Sequence, residues 1–154
     1  MRFLMFIFIV LLTQSCSSHK NNPNLPSKTC TLYFSNTITL QNVLLAETPA
    51  QQTKGLSGKN PVAESMLFQY KTPQIMHFWM HDTNIPLTIG FIDAKGVLFQ
   101  ITDMEPNTDT VHTSRSPALY ALELRQKQYK ALNLTLGTVL ISSVCHELHS
   151  NQEW

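Results

Sequence analysis

Two histidines four residues apart, His77 and His81, form the first pair in this chain whose types and spacing could do chemistry. On a helix, that spacing puts both rings on one face and suits a metal ion. On a strand it leaves them about 13 Å apart, at ~3.3 Å per residue, too far to share one ion. A bulge, or the turn signalled by Asp82-Thr83-Asn84, would shorten the gap, and His112 would then offer a third ligand. Otherwise these are surface or hydrogen-bonded histidines, and we expect no metal and no cofactor. Cys145-His146-x-x-His149 also has ligand chemistry, but it lies in the C-terminal tail, where Cys145 has a competing use as a disulfide partner.

A second set of residues has the chemistry of a binding groove. Trp79, Met80 and Tyr120 are large side chains, two of them apolar bodies with a polar handle, which suits a half-wet pocket or plain core packing. Asp82, Asn84, Glu105 and Glu123 fall near the expected ends of strands. Glu123 stands inside the apolar run Leu119 to Leu124, where a carboxylate needs a partner or water. It would pair with Arg115 or Arg125, or serve a pocket. There is no Gly-x-Ser-x-Gly, P-loop, Gly-x-Gly-x-x-Gly or Cys-x-x-Cys motif. This argues against the common nucleophile and nucleotide chemistries.

The elements that must position these groups read as short strands. Met76 to Leu87 is the organising stretch: an extended rib that ends at Ile85-Pro86, with Phe78–Met80 as its strand and Trp79 turned inward toward Leu122-Glu123-Leu124. Thr31 to Phe34, Ile38 to Ala46, Met66 to Phe68, Leu87 to Ile92, Val97 to Met104, Leu119 to Leu124 and Thr138 to Val144 carry strand propensity. Asp93-Ala94-Lys95-Gly96 makes a hairpin of two of them. Thr48-x-x-Gln51, with Pro49 at the first helical position, is a capping box for a helix that stops at Gly55. A second short helix spans Gln126 to Leu132 and is capped by Asn133. Lys71 to Gln74 reads as a turn, and Glu105 to Pro117 as a long loop. The sum is a mainly β, β-rich α+β domain: a small antiparallel β-barrel, closed or clip-like, with two short helices.

Outside that domain the chain reads as exported. Arg2, the apolar run Phe3 to Leu12 and Thr13-Gln14-Ser15 have the form of a signal peptide over residues 1–15. Ser15 followed by Cys16 resembles a bacterial lipobox, although Thr13 stands where an aliphatic residue is usual. On that resemblance Cys16 is lipidated and anchors the protein to the membrane. Ordinary cleavage and an uncleaved segment are the alternatives. Residues 16–29 then serve as anchor and polar tether, 30–145 as the folded domain and 146–154 as a tail. Ser17 after the anchor favours the outer over the inner membrane. With Cys16 so used, Cys30 and Cys145 remain as an even pair in an oxidising compartment, either bridged or two buried free thiols. A bridge closing about 115 residues would stabilise by ~4–5 kcal/mol on loop entropy. Of 11 basic residues only Arg2 lies in the signal peptide, leaving 10 against 10 acidic ones. This balance, without a basic patch, gives no reason to expect nucleic-acid binding.

Several segments together resemble one family. Gly55-Leu56, Met66-Leu67-Phe68, Phe78-Trp79-Met80-x-x-Thr83-x-Ile85-Pro86-Leu87, Phe91-Ile92-Asp93-x-x-Gly96 and Ser116-Pro117-Ala118-x-Tyr120-x-Leu122-Glu123-Leu124 are similar to DUF192. That family comprises small, often exported bacterial and archaeal proteins of unknown function. The resemblance covers about residues 38–144 and implies a compact, mainly antiparallel β domain, with no established reaction. The chain departs from the family pattern where acidic residues are usual: Thr88 and Thr138 stand there instead. His81-Asp82, Ser57-Gly58-Lys59 and Arg125-Gln126-Lys127 are further departures.

Three functions follow as expectations. The first is an envelope lipoprotein whose β domain binds a small ligand or envelope protein at the groove of Trp79, Met80, Asp82, Asn84, Glu105, Tyr120 and Glu123. The second is a hydrolase using carboxylates with His77, His81 or His112. The third is a structural envelope component.

Overall fold

The computed structural model describes residues 23–58 and 65–148. The expected signal peptide, the expected anchor Cys16 and the end of the expected tail lie outside the described residues. In chain order the elements are β1 (Lys28–Phe34), β2 (Thr39–Ala46), α1 (Pro49–Lys54), β3 (Ser65–Gln74), β4 (His77–Phe78), β5 (Leu87–Ile92), β6 (Leu98–Met104), β7 (His112–Thr113), β8 (Ala118–Arg125), α2 (Gln128–Ala131) and β9 (Leu140–Glu147). Gln51 Nε2 donates to Leu25 O at 3.1 Å, so the chain is already tied to the domain ahead of β1.

Seven strands form one sheet in the order β6-β5-β8-β3-β2-β1-β9, and β4 and β7 form a separate two-stranded ribbon. The fold is mostly β with two short helices, as the sequence predicts, but two features of the expected barrel are corrected. The pair β2–β3 is parallel, Leu44 opposite Met66 and Ala46 opposite Phe68, because α1 and its flanks supply the crossover that a parallel pair requires. The sheet also does not close. Its edges β6 and β9 meet only at one corner, through the Val97–Val139 bridge, with Leu98 N on Thr138 O at 2.9 Å and Leu140 N on Gly96 O at 2.8 Å. Gly96 is required at that corner: its φ is +82°, and a Cβ there would stand 2.4 Å from the Leu140 carbonyl oxygen.

The physical reason for the open form is burial on both faces, since a closed barrel of this size has a single interior. Consecutive residues Met66, Leu67 and Phe68 of β3, and all six of β5, are buried. One face carries Leu44, Met66, Phe68, Ile89, Phe91 and Ala121, covered by Leu56, Met76, Phe78 and Met80. The other carries Leu32, Val43, Leu67, Leu122 and Leu124, covered by Tyr129 and Leu134. Helix α1 and the 76–86 segment would have nothing to pack on if only one face were apolar.

Some local expectations are revised too. Strand β3 continues through Lys71 to Gln74, where a turn is expected, because Gln74 pairs with Ala118 beyond an irregular stretch. Pro73 is tolerated there because that stretch lacks regular ladder partners. The rib is a strand only at His77–Phe78, which pair with Thr113 and His112 of β7 inside the expected long loop. Its alternation buries Met76, Phe78 and Met80, and Trp79 therefore faces outward, 60% exposed, rather than inward. Beyond Met80 the chain turns: Thr83 N donates to Met80 O at 3.1 Å, and Asp82 adopts φ 52°. Strand β9 extends to Glu147, into the expected tail. Cys30 and Cys145 lie directly opposite on β1 and β9 and are joined by a disulfide, with their Cα atoms 4.0 Å apart.

Candidate functional site

A cavity of about 570 Å³ opens between α1 with its C-terminal flank, β3 and the 77–83 segment. Each wall has a local cause. Helix α1 is short and is fixed by its cap: Gln51 N donates to Thr48 Oγ1 at 3.3 Å, and Thr48 N donates to Gln51 Oε1 at 3.1 Å. Gln52 Nε2 then donates to Gln69 O at 2.8 Å and ties the helix to β3. Gly55, at φ 49°, ends the helix and lets Leu56 turn into the core. From β3 come Phe68 and Tyr70; the rib gives His77, Phe78, Trp79, His81 and Thr83. Phe68 and Phe78 meet edge to face with centroids 4.8 Å apart, which fixes both rings in the wall.

Glu123 lies at the floor, on β8 between Met66 of β3 and Ile89 of β5. It is 4% exposed. Neither Arg115 nor Arg125 forms a salt bridge with it, and none of the described residues is seen hydrogen-bonding its carboxyl. Arg115 is instead turned to the Phe99 carbonyl and the Phe99 ring. Burial pushes the Glu123 carboxyl up to about 8, so it holds its proton at neutral pH. Tyr70 is raised as well, first by burial and then by the neighbouring Glu123 charge. A protonated buried acid beside a phenol can donate a hydrogen bond to a ligand, accept a cation once ionised, or move a proton.

The sequence-predicted residues separate. Trp79 and Glu123 share the cavity as expected. Met80 does not line it: the alternation puts it in the core at 1% exposure. Tyr120 lies an odd number of residues from Glu123 along β8 and therefore faces the opposite side, against the Leu122 and Leu124 cluster. Asp82 and Asn84 are exposed and outside the lining, because the turn after Met80 carries them to the surface, and Glu105, directly after β6, is exposed and outside it as well. Glu105 instead accepts from Gln126 Nε2 at 3.3 Å.

The histidines are engaged separately. His77 Nδ1 is 3.0 Å from Thr113 Oγ1, and His81 Nδ1 is 2.9 Å from Asp109 Oδ1. His81 is raised above the usual histidine value, chiefly by that bond to Asp109 and then by the charge of Asp82. His112 sits across from Phe78. No group of three or more His, Cys, Asp or Glu placed to hold a metal occurs among the described residues. The two threonines that depart from the expected family pattern, Thr88 and Thr138, are each hydrogen-bonded within the domain. Thr88 donates to Asp103 Oδ1 at 2.5 Å, and Thr138 Oγ1 accepts from Thr135 N at 3.1 Å; neither lines the cavity.

Sequence reasoning missed Tyr70, Gln52 to Ser57, Val111 and Asp109. Tyr70 alone left a signal: it continues the Met66, Phe68 alternation on one face of β3. No helix among the described residues is long and apolar enough to cross a membrane.

Comparison with known proteins agrees with this fold. The family model DUF192, described as an uncharacterized ACR, matches residues 33–141. A solved structure from Sinorhizobium meliloti 1021, of a protein proposed to be a transcription regulator, is 29% identical with a TM-score of 0.68, covering 75% of this chain and 94% of its own. Another, from Novosphingobium aromaticivorans DSM 12444 and of unknown function, is 26% identical with a TM-score of 0.65, covering 72% of this chain and 81% of its own. No curated protein matches the chain.

Proposed function

This chain belongs to the DUF192 family, and from that premise we propose that its domain binds a small ligand in the cavity beside Trp79, gripped at the floor by Glu123. One observation carries the reading. A buried carboxyl that no seen neighbour satisfies costs free energy, and the exposure it keeps is onto a cavity large enough for a small molecule. A purely structural domain would satisfy that group or replace it with an apolar residue. The exposed Trp79 ring supplies an apolar surface at the same cavity.

The N-terminal sequence supports export, with Cys16 as a lipid anchor and the domain held at the outer membrane facing the periplasm. Replacing Cys16 with Ser should release the protein from membranes; unchanged partitioning rejects the anchor. The disulfide fits an oxidising compartment. Nucleic-acid regulation is not carried over from the relative, because this chain has 11 basic against 10 acidic residues and no basic stripe.

The binding reading is tested by a thermal-shift panel of small molecules on the domain and on Glu123→Gln. Hits should raise the wild-type melting temperature, lose most of that effect in the variant, and shift the Trp79 indole and Tyr70 signals by NMR. Hits that map elsewhere reject the site.

A further inference from the structure

Building on the small-ligand reading, we propose that the group Glu123 grips is the primary ammonium of a small organic amine. The walls around the carboxyl are aromatic: Phe68 and Tyr70 from β3, Phe78 and Trp79 from the rib. Ring faces carry negative charge density and attract cations, more strongly where water is excluded. The carboxyl at the floor has no salt-bridge partner among the described residues and lies almost fully buried. An anionic group at the floor would meet the Glu123 carboxyl, and the basic groups of the lining, Lys54, His77 and His81, are directed to Gly58, Thr113 and Asp109 instead. A neutral ligand would gain one ordinary hydrogen bond. An ammonium gains a charge-assisted bond, the ring attraction and a counter-charge for a desolvated carboxylate, and its N–H donors supply hydrogen bonds that the carboxyl otherwise lacks.

The other ionisable groups around the site are consistent with this. Lys54 of α1 extends toward the Gly58 turn, His77 of β4 is held by Thr113, and His81 by Asp109. Tyr70 of β3 shares the lining with Glu123, whose charge raises it, and Arg125 lies two residues along β8. Behind the sheet, Tyr129 of α2 donates its phenol to Leu122 O at 2.7 Å. None of the basic groups among these forms a salt bridge with Glu123.

Charge balance makes a specific demand. At neutral pH the carboxyl holds a proton, so the amine binds as RNH3+ and one proton leaves Glu123 for solvent as the ion pair forms. Affinity should therefore rise about tenfold per pH unit up to about pH 8 and then level.

The experiment is calorimetric titration of the domain with benzylamine and with benzyl alcohol, its neutral counterpart of similar shape. It is run at about pH 6 and about pH 8, in two buffers of different ionisation enthalpy. Expected are benzylamine binding with close to one proton released at the lower pH, much weaker binding of benzyl alcohol, and about tenfold or greater loss in Glu123→Gln. A Glu123→Gln variant with an intact near-UV circular dichroism spectrum keeps the comparison valid. Trp79→Leu, at an exposed position, is a second variant that should weaken benzylamine without disturbing the fold. Equal binding of amine and alcohol, or amine binding without proton release, overturns the ammonium assignment while the cavity reading stands; an unchanged affinity in Glu123→Gln overturns the ammonium assignment together with the grip at Glu123. No binding of either compound overturns the ammonium assignment, and the thermal-shift panel decides the cavity reading separately.

Discussion

Tyr70 on β3 and Glu123 on β8 line the same cavity, and charge on the carboxylate raises the phenol beyond what burial does. The first prediction concerns the carboxyl itself. Its folded-state value is raised to about 8 from an ordinary 4.5, so the folded protein binds this proton more tightly than the unfolded chain. That contribution to stability is full below about pH 4.5, declines as pH rises and is lost by about pH 8. In Glu123→Gln the decline should be shallower, by roughly 1 kcal/mol per pH unit across the window. Urea melts of both proteins at several pH values measure it; parallel curves would show that Glu123 titrates normally.

The pair His81 and Asp109 makes a local prediction. The His81 imidazolium is stabilised by its bond to Asp109, so its NMR titration midpoint should lie above 6.5. Asp109→Asn should bring the midpoint down toward the ordinary histidine value. A midpoint unchanged by that substitution means the bond is not kept in solution.

The disulfide ties the first strand to the last. Denatured protein should show no reactive thiol from Cys30 or Cys145, and the double Cys→Ala variant should lose about 2–5 kcal/mol in denaturant melts. Two reactive thiols per domain would reject the bridge.

Gly90 is packed beneath the ring of Tyr129. A Cβ there would stand 2.2 Å from Tyr129 Oη, 2.7 Å from its Cζ and 2.8 Å from Leu98 Cδ1. Gly90→Ala must displace α2 or the strand and should cost about 1–3 kcal/mol, seen as a lower melting temperature.

Thr48 holds the cavity wall through the α1 cap. Thr48→Ala should cost about 1 kcal/mol and broaden or shift the NMR signals of Gln52 to Leu56. Unchanged signals there would mean that the contact of Gln52 with Gln69 holds α1 without its cap.

Parts of this site could be read from residues a few positions apart. The capping box over Thr48 and Gln51, the helix end at Gly55 and the turn at Asp93 to Gly96 each follow from short-range sterics and hydrogen bonding, and each forms as read. The oddity of Glu123 was visible too, because a carboxylate in an apolar run is unusual wherever the strand lies. Trp79 was misread as inward-facing. Composition marked it as a core residue, but the period of two that buries Met76, Phe78 and Met80 leaves position 79 on the outer side.

The sequence by itself determined the local devices, the mainly β character and the pairing candidates Cys30 and Cys145, because these depend on neighbours in the chain or on a count of residues. Tertiary structure alone decided that β3 lies between β2 and β8, parallel to one and antiparallel to the other. That placement brings Tyr70, Glu123 and α1 to the walls of one cavity and sends Tyr120 to the opposite face. Strand order and register are fixed by burying both faces of one sheet at once, a condition on residues far apart in the chain that no single stretch expresses.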